Sequence, residues 1–223
     1  VRIRERRPLG FEGNGPAEPR DNPALVEALG SANENVPVEP TIWLGSAVRI
    51  EPPTQLALRR QAGQNLLVVG QDEPLALGIL ATSVCALAAQ QSSTEFQLTL
   101  LDGTRPESPQ QGAWGRLAGT LPGNAGVFTP RETDRAIAAL SAELERRTQS
   151  GDAQFPAHYL VVHDLAQFRD LRISEDEFSF SSGGNNGKPP ALDKQFRELL
   201  REGPAVGVHI LVWCDSYNSL NRS

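Results

Sequence analysis

Short apolar runs alternate with helical patterns through most of the chain. The apolar runs fall at residues 65–69 (NLLVV), 96–102 (FQLTLLD), 126–128 (GVF), 158–163 (HYLVVH) and 207–213 (GVHILVW). Uninterrupted apolar runs of this length are typical of strands buried on both faces of a parallel sheet. Helical patterns lie between them at residues 74–89, 106–119, 129–147 and 191–202. The alternation predicts an α/β fold with a mostly parallel sheet and helices on both faces.

Two of these helices carry further signals. Residues 74–89 contain no charged side chain, which indicates a helix that is buried nearly all round. The helix that ends near Arg147 is preceded by Thr129, Pro130 and Glu132, which form a capping box with proline at the first helical position. We therefore expect the first helix in the core and the second to begin at Pro130.

The first 40 residues differ from the body of the chain. Residues 1–22 are rich in Arg, Gly, Pro and Asn, and their basic side chains favour a solvated lead-in over a DNA-contacting arm. Asn22 and Pro23 are a helix cap and a first-turn proline, so residues 22–30 predict a short helix ahead of a Pro-rich linker at 31–40. We divide the chain into a lead-in at 1–40 and one domain at 41–223.

Two other segments of the domain differ from the alternating pattern. TIWLG at 41–45 and TQLALR at 54–59 predict two short strands that pair as a hairpin. Residues 172–190 are acidic and then rich in Ser, Gly, Asn and Pro, which predicts a flexible loop. Within it, residues 183–188 (GGNNGK) resemble a phosphate loop, but no apolar strand precedes them and Pro189 stands where a hydroxyl is needed.

Composition narrows the class of protein. The chain has 223 residues and a formal net charge of -6, so we do not expect a basic nucleic-acid module of the usual kind. No apolar run is long enough to span a membrane, and because no apolar stretch follows the opening VRIRERR we do not expect a signal peptide. Cys85 and Cys214 lack disulfide or metal spacing, which indicates reduced core residues of a cytoplasmic protein. Because the chain begins with Val and contains no Met, we expect it to be part of a longer polypeptide.

The end of the first buried strand is where a phosphate loop belongs. A working loop reads G-x-x-x-x-G-K-[ST], and Gly70, followed by Gln71 and Asp72, opens the corresponding stretch. The lysine position is Ala76 and the hydroxyl position is Leu77, so neither the phosphates nor Mg²⁺ have their usual partner. Tight ATP binding at this loop is therefore not expected.

Two other strands end in aspartates that matter for the same chemistry. Asp164 follows HYLVVH, in the form of the aspartate that holds Mg²⁺ in nucleotide sites, although an aspartate that only caps a turn is equally consistent. Leu165 stands where ATPases place the glutamate that activates water, and Asp215 follows the last strand. Because ligands of open α/β sheets bind at the carboxyl ends of the strands, these residues define the candidate site.

The order of these pieces resembles the FtsK/SpoIIIE-type motor domain, a RecA-like P-loop ATPase. The resemblance covers roughly residues 40–223 and is most specific at LLREGPAVGVHILVWCDSYNSLNR. It implies that Asp164 is the Mg²⁺ aspartate, that Asp215 replaces the glutamine that senses the γ-phosphate, and that a longer chain continues beyond the final strand. The resemblance also implies further ATPase domains in the same polypeptide or ring.

Three functions remain open from the sequence. The first is a non-hydrolysing domain of a DNA-translocase-type motor that serves assembly, with no cofactor and DNA contacted only through the parent protein. The second is a degenerate domain of a type VII secretion motor that docks a peptide or partner helix, with apolar replacements around residues 75–77 suiting such a groove. The third is an active ATPase that binds ATP and Mg²⁺ with an arginine replacing the lysine. The arginines considered for that role are Arg59, Arg60, Arg169, Arg172 and Arg201.

Overall fold

The computed structural model describes residues 19–30, 39–45, 54–92, 94–151, 155–171 and 190–220. The basic lead-in at 1–18, the linker at 31–38 and the loop at 172–189 lie outside the described residues, so those predictions stay predictions.

The described part contains seven strands and six α-helices. The strands are β1 (Thr41–Gly45), β2 (Thr54–Ala57), β3 (Leu66–Val69), β4 (Gln97–Asp102), β5 (Asn124–Phe128), β6 (His158–His163) and β7 (Val208–Cys214). The helices are α1 (Pro23–Gly30), α2 (Glu73–Ala89), α3 (Ala113–Ala118), α4 (Thr133–Ser150), α5 (Leu192–Glu202) and α6 (Tyr217–Leu220). Short 3₁₀ turns lie at Pro19–Asp21, Pro130–Glu132, Leu165–Gln167, Arg169–Leu171 and Gly203–Val206.

Five of the strands form one parallel sheet in the order β3-β7-β6-β4-β5. The predicted α/β fold is therefore confirmed, and so is the hairpin, because β1 and β2 pair antiparallel as a separate two-stranded sheet. The helix predicted at 106–119 is shorter in the structure, where only α3 (Ala113–Ala118) is α-helical. The register places the ends of β3, β7 and β6 side by side, with Val69 opposite Cys214 and Val162 opposite Val212.

Each face of the sheet carries its own apolar core, because alternate strand residues point to opposite faces. Leu160 and Val162 pack with α4, α5 and the turns after β6, whereas Tyr159 and Val161 pack with α2 and α3. The predicted cover on both faces is thus confirmed.

Helix α2 is buried on more than one side because the β1–β2 hairpin lies against it. The Gln90 side chain links the two elements: its Nε2 donates to the Thr41 carbonyl at 2.6 Å and its Oε1 accepts from the Thr41 amide at 3.0 Å. Helix α1 also contacts α2. The absence of charged residues from 74 to 89 is explained by the contacts of α2 with the sheet, the β1–β2 hairpin and α1. Both cysteines are free, with Cys214 buried and Cys85 half-buried.

Candidate functional site

The carboxyl edge of the sheet brings the predicted site residues together. The Gly70 amide donates to the Cys214 carbonyl at 3.1 Å, which joins the end of β3 to the end of β7. Asp215 follows Cys214, and its charge acts on the carboxyl of Asp164 at the end of β6. Gln71 and Asp72 are exposed beside them. The structure therefore places Gly70, Asp164 and Asp215 along one edge, in the order that the sheet dictates.

The junction between β3 and α2 is too short to surround a phosphate. Strand β3 ends at Val69 and α2 begins at Glu73, so only Gly70, Gln71 and Asp72 connect them. In a phosphate loop the residues after the first glycine form an open cradle of backbone amides. Here the third and fourth of those residues, Glu73 and Pro74, already belong to the helix.

Two of the amides at the start of α2 already have partners within the chain, and a third position has no amide hydrogen. Pro74 has no N–H to donate. The Leu75 amide donates to Asp72 Oδ1 at 2.9 Å, and the Ala76 amide donates to the Asp72 carbonyl at 3.0 Å. Glu73 adds a second carboxylate, which accepts from the Ser108 hydroxyl at 3.0 Å. The helix N-terminus, whose positive end favours anions, is thus satisfied by the chain's own acids.

The two positions that define the phosphate loop face the core. Ala76, at the lysine position, is 3% exposed, and Leu77, at the hydroxyl position, packs against the same apolar cluster. An ammonium group placed at residue 76 would be buried without a partner, which costs several kcal/mol or neutralises the group. Restoring the motif by substitution alone would therefore not restore the site.

Trp213 occupies the space beneath the junction. Its indole Nε1 donates to the Gly70 carbonyl at 2.9 Å, and its ring lies 4.8 Å from the His163 ring, centroid to centroid. Trp213 is 4% exposed and belongs to the apolar core. Its role here is to fill the volume between the ends of β3 and β6.

His163 lies between two indole rings: that of Trp114 meets it edge-on, and that of Trp213 is tilted against it. The Trp114 ring lies 5.5 Å from the His163 ring, and Thr104 Oγ1 lies 3.3 Å from His163 Nδ1. Burial lowers the pKa of His163 to about 4, so the imidazole is neutral near pH 7. His163 is fully buried, and a neutral ring offers no cation for a phosphate.

Asp164 is held in an unusual backbone conformation beside these rings. Its φ of 62° lies in the left-handed region, which is uncommon for residues other than glycine. Gly103 makes the arrangement possible, because a Cβ at that position would lie 2.5 Å from the His163 carbonyl oxygen. Backbone packing between β4 and β6 therefore fixes where the Asp164 carboxyl lies.

The two oxygens of the Asp164 carboxyl have different surroundings. Oδ2 accepts from Gln167 Nε2 at 3.0 Å and lies 3.9 Å from Arg105 Nε, whereas Oδ1 is buried with no hydrogen-bond partner among the described residues. Burial raises the pKa of Asp164. By contrast, hydrogen bonds from Ser219 and Ser216 lower the pKa of Asp215.

The residues present do not fit Mg²⁺·ATP. Asp164 Oδ1 could accept a cation, but the hydroxyl that shares Mg²⁺ with it in such sites is replaced by Leu77, and the phosphate cradle is closed. Within the described ranges, no three His, Cys, Asp or Glu side chains are grouped as a metal site requires.

Among the arginines proposed as substitutes for the lysine, Arg169 is exposed in the 3₁₀ turn that follows β6, whereas Arg60 and Arg201 make contacts at the opposite edge. Arg60 Nη2 donates to the Phe155 carbonyl, ahead of β6, and Arg201 pairs with Glu202 at the end of α5. Both contacts lie at the amino-terminal edge of the sheet. Arg59 pairs with Glu39, and Arg172 lies outside the described residues. Sequence reasoning missed Arg105, which follows β4 and reaches Asp164 only because β4 lies beside β6.

No protein-family model and no curated protein matches the chain. Several solved structures match the chain in fold. The structure of Thermomonospora curvata EccC (ATPases 2 and 3) in complex with a signal sequence peptide has a TM-score of 0.58 and 19% identity, over 85% of this chain and 34% of that one. The cytoplasmic domain of the Thermomonospora curvata type VII secretion ATPase EccC gives 0.59 and 19%, over 85% and 22%. EssC (ATPases 2 and 3) from Geobacillus thermodenitrificans gives 0.55 and 13%, over 85% and 35%.

These likenesses establish the fold. The chain has the same α/β fold as these ATPase domains, as the resemblance to FtsK/SpoIIIE-type motors implied. It spans about a third or less of the length of the EccC chains and about a third of the EssC chain. No helix in the described part of the chain is both long and apolar enough to cross a membrane.

Proposed function

We propose that this chain is a RecA-like domain of a cytoplasmic, type VII secretion-type motor that does not hydrolyse ATP and works through contacts with other proteins. The observation that carries the proposal is the closed β3–α2 junction. Its amides at residues 75 and 76 donate to Asp72, residue 74 is a proline, and two carboxylates stand where a triphosphate would bring its own negative charge. Nucleotide binding there would require removing a cap and bringing like charges together.

Secretion is favoured over DNA movement as the task of the parent protein. The structures with the same fold named above are secretion ATPases, and one of them holds a signal sequence peptide. The net charge of -6 opposes DNA phosphates. In this proposal, other ATPase domains of the same polypeptide or ring perform the hydrolysis, and this domain supplies surfaces for assembly or docking. A DNA-translocase role stays a prediction from sequence resemblance alone.

The first test is calorimetric titration of MgATP into the purified chain, up to millimolar nucleotide. We expect no saturable heat, because the junction offers no open amide cradle. The matched variants are Asp164→Asn, at the candidate site, and Asp170→Asn, which changes an exposed aspartate nearby. Saturable binding that Asp164→Asn abolishes and Asp170→Asn leaves intact would overturn the proposal and point to an active motor.

A further inference from the structure

A groove of about 890 Å³ runs between α4 and α5, on the face of the sheet opposite α2. It lies apart from the carboxyl-edge residues described above. Its walls come from one side of each helix and from the turn that leads into β7. The lining residues are Ala138, Ser141, Ala142, Leu144, Glu145, Thr148, Gln149, Pro190, Gln195, Glu198, Arg201, Glu202, Ala205 and Val206.

The shape of the groove suits a third helix. On α4 the lining positions recur every three or four residues, so they form one continuous stripe along the helix. Ala138 and Ala142 are exposed in this stripe, and their small side chains leave room for another backbone to approach. On α5 the stripe that includes Gln195 and Glu198 faces them. Two parallel stripes with a trough between them are the surface on which helices pack by ridges and grooves.

The charges of the groove are unequal. Three carboxylates, those of Glu145, Glu198 and Glu202, line it with a single guanidinium, that of Arg201. The guanidinium is engaged by one of the three, because Arg201 Nε lies 2.8 Å from Glu202 Oε1. The groove therefore has an acidic rim around small and apolar side chains. Charge complementarity across an interface selects a partner of the opposite sign.

We propose that this groove binds a helix of a partner protein that has a stripe of small apolar residues flanked by lysine or arginine. The inference rests on the proposed function, since a domain that works through protein contacts needs such a surface. A second copy of this chain is the less suitable occupant, because its net charge of -6 is of the same sign as the rim. The partner is defined by its chemistry, a basic amphipathic helix.

The test uses fluorescence anisotropy with two synthetic peptides of about 15 residues, long enough for four helical turns. Both carry the same alanine and leucine stripe; lysines flank it in one peptide and glutamates in the other. We expect the lysine peptide to bind. Ala142→Arg, which fills the groove, and Glu198→Lys, which reverses a rim charge, should each weaken binding by about tenfold or more.

Matched controls separate the groove from general effects of charge. Ala139→Arg adds the same side chain to α4 at an exposed position outside the groove. Glu107→Lys reverses the charge of an exposed carboxylate that belongs to neither groove helix. Both should bind the lysine peptide like the parent chain. Circular dichroism and thermal unfolding check that all four variants fold, and exposed positions on a helix surface are expected to accept arginine.

Three results would overturn the inference. One is equal binding of the lysine and glutamate peptides, and another is unchanged affinity in Ala142→Arg. The third is a dimer of the chain, seen by light scattering, that Ala142→Arg dissolves, since the groove would then be a self-association surface. MgATP titrations on the same samples keep the two proposals apart: ATP binding would overturn the proposed function, whereas loss of peptide binding concerns only the groove.

Discussion

The ends of β3 and β6 lie on either side of β7, yet they differ in how their polar groups are hydrogen-bonded. At the end of β3, Asp72 caps its own helix and Trp213 donates to the Gly70 carbonyl. At the end of β6, Asp164 holds a left-handed backbone conformation, and its Oδ1 is buried with no hydrogen-bond partner in the described residues. At the end of β3 these polar groups have hydrogen-bond partners. At the end of β6 the backbone conformation and the unpaired Oδ1 both cost free energy.

The difference shows that the two ends of this edge contribute to stability in different ways. The β3–α2 junction is a capped turn, which stabilises the start of α2. The β6 end keeps the buried carboxyl, although buried polar groups without partners destabilise a fold by about 1–3 kcal/mol. Variants at the two ends should therefore have opposite effects on the free energy of unfolding, and the residue that joins the ends should matter most.

The largest expected effect is at Trp213, which contacts both ends. Trp213→Ala removes a buried indole that packs on His163 and hydrogen-bonds to Gly70, and should cost about 3–5 kcal/mol of the free energy of unfolding. Trp213→Phe keeps most of the packing and should cost much less. Urea unfolding followed by circular dichroism measures both. A loss below about 1 kcal/mol in Trp213→Ala would show that the two ends are packed independently.

The next effect is the pH dependence of stability. Burial lowers the pKa of both His158 and His163 to about 4, whereas an ordinary histidine has a pKa of 6.5. Between these values the unfolded chain binds more protons, so stability falls as the pH drops from about 6.5 to 4 and the histidine contribution levels off below that. Each histidine should account for roughly 3 kcal/mol over this range.

Unfolding by urea at a series of pH values, with His163→Gln beside the parent chain, measures this contribution. The glutamine variant is expected to be less stable near pH 7 and to lose stability less steeply on acidification. An unchanged slope in His163→Gln would mean that the rings beside Asp164 are hydrated in solution.

The smallest effects are at the two aspartates, and their signs differ. Asp72→Ala removes the cap of α2 and should destabilise the fold by about 1 kcal/mol. Asp164→Asn should stabilise it by about 1 kcal/mol at neutral pH, because asparagine tolerates the left-handed region and removes a buried charge. Since burial raises the pKa of Asp164, this gain should shrink as the pH falls and the carboxyl is protonated. Thermal unfolding resolves both, and a loss of stability in Asp164→Asn would remove the contrast between the ends.

Most of the fold could be predicted because buried parallel strands are uninterrupted apolar runs. β6 matched its run residue for residue, and the other sheet strands were placed to within two residues. The closed junction was harder to predict. Asp72 and Pro74 are signals of a helix start, but comparison with a phosphate loop assigns both to the loop. Arg105 left no local signal, since its approach to Asp164 depends on which strands are neighbours.

The place of β7 in the sheet has a consequence for biosynthesis. It is the last of the described strands along the chain, yet it lies between β3 and β6, and the Ile210 amide donates to Asn65 Oδ1 across 145 residues of sequence. During translation the apolar surfaces of β3 and α2 therefore lack their central neighbour until nearly all of this chain has left the ribosome. Such long-range closure slows folding and exposes aggregation-prone surface. A chain cut before Val208 is expected to lack a cooperative fold, because without β7 nothing joins β3 to β6 in the sheet. Folding of the described domain therefore waits for β7 to be synthesised.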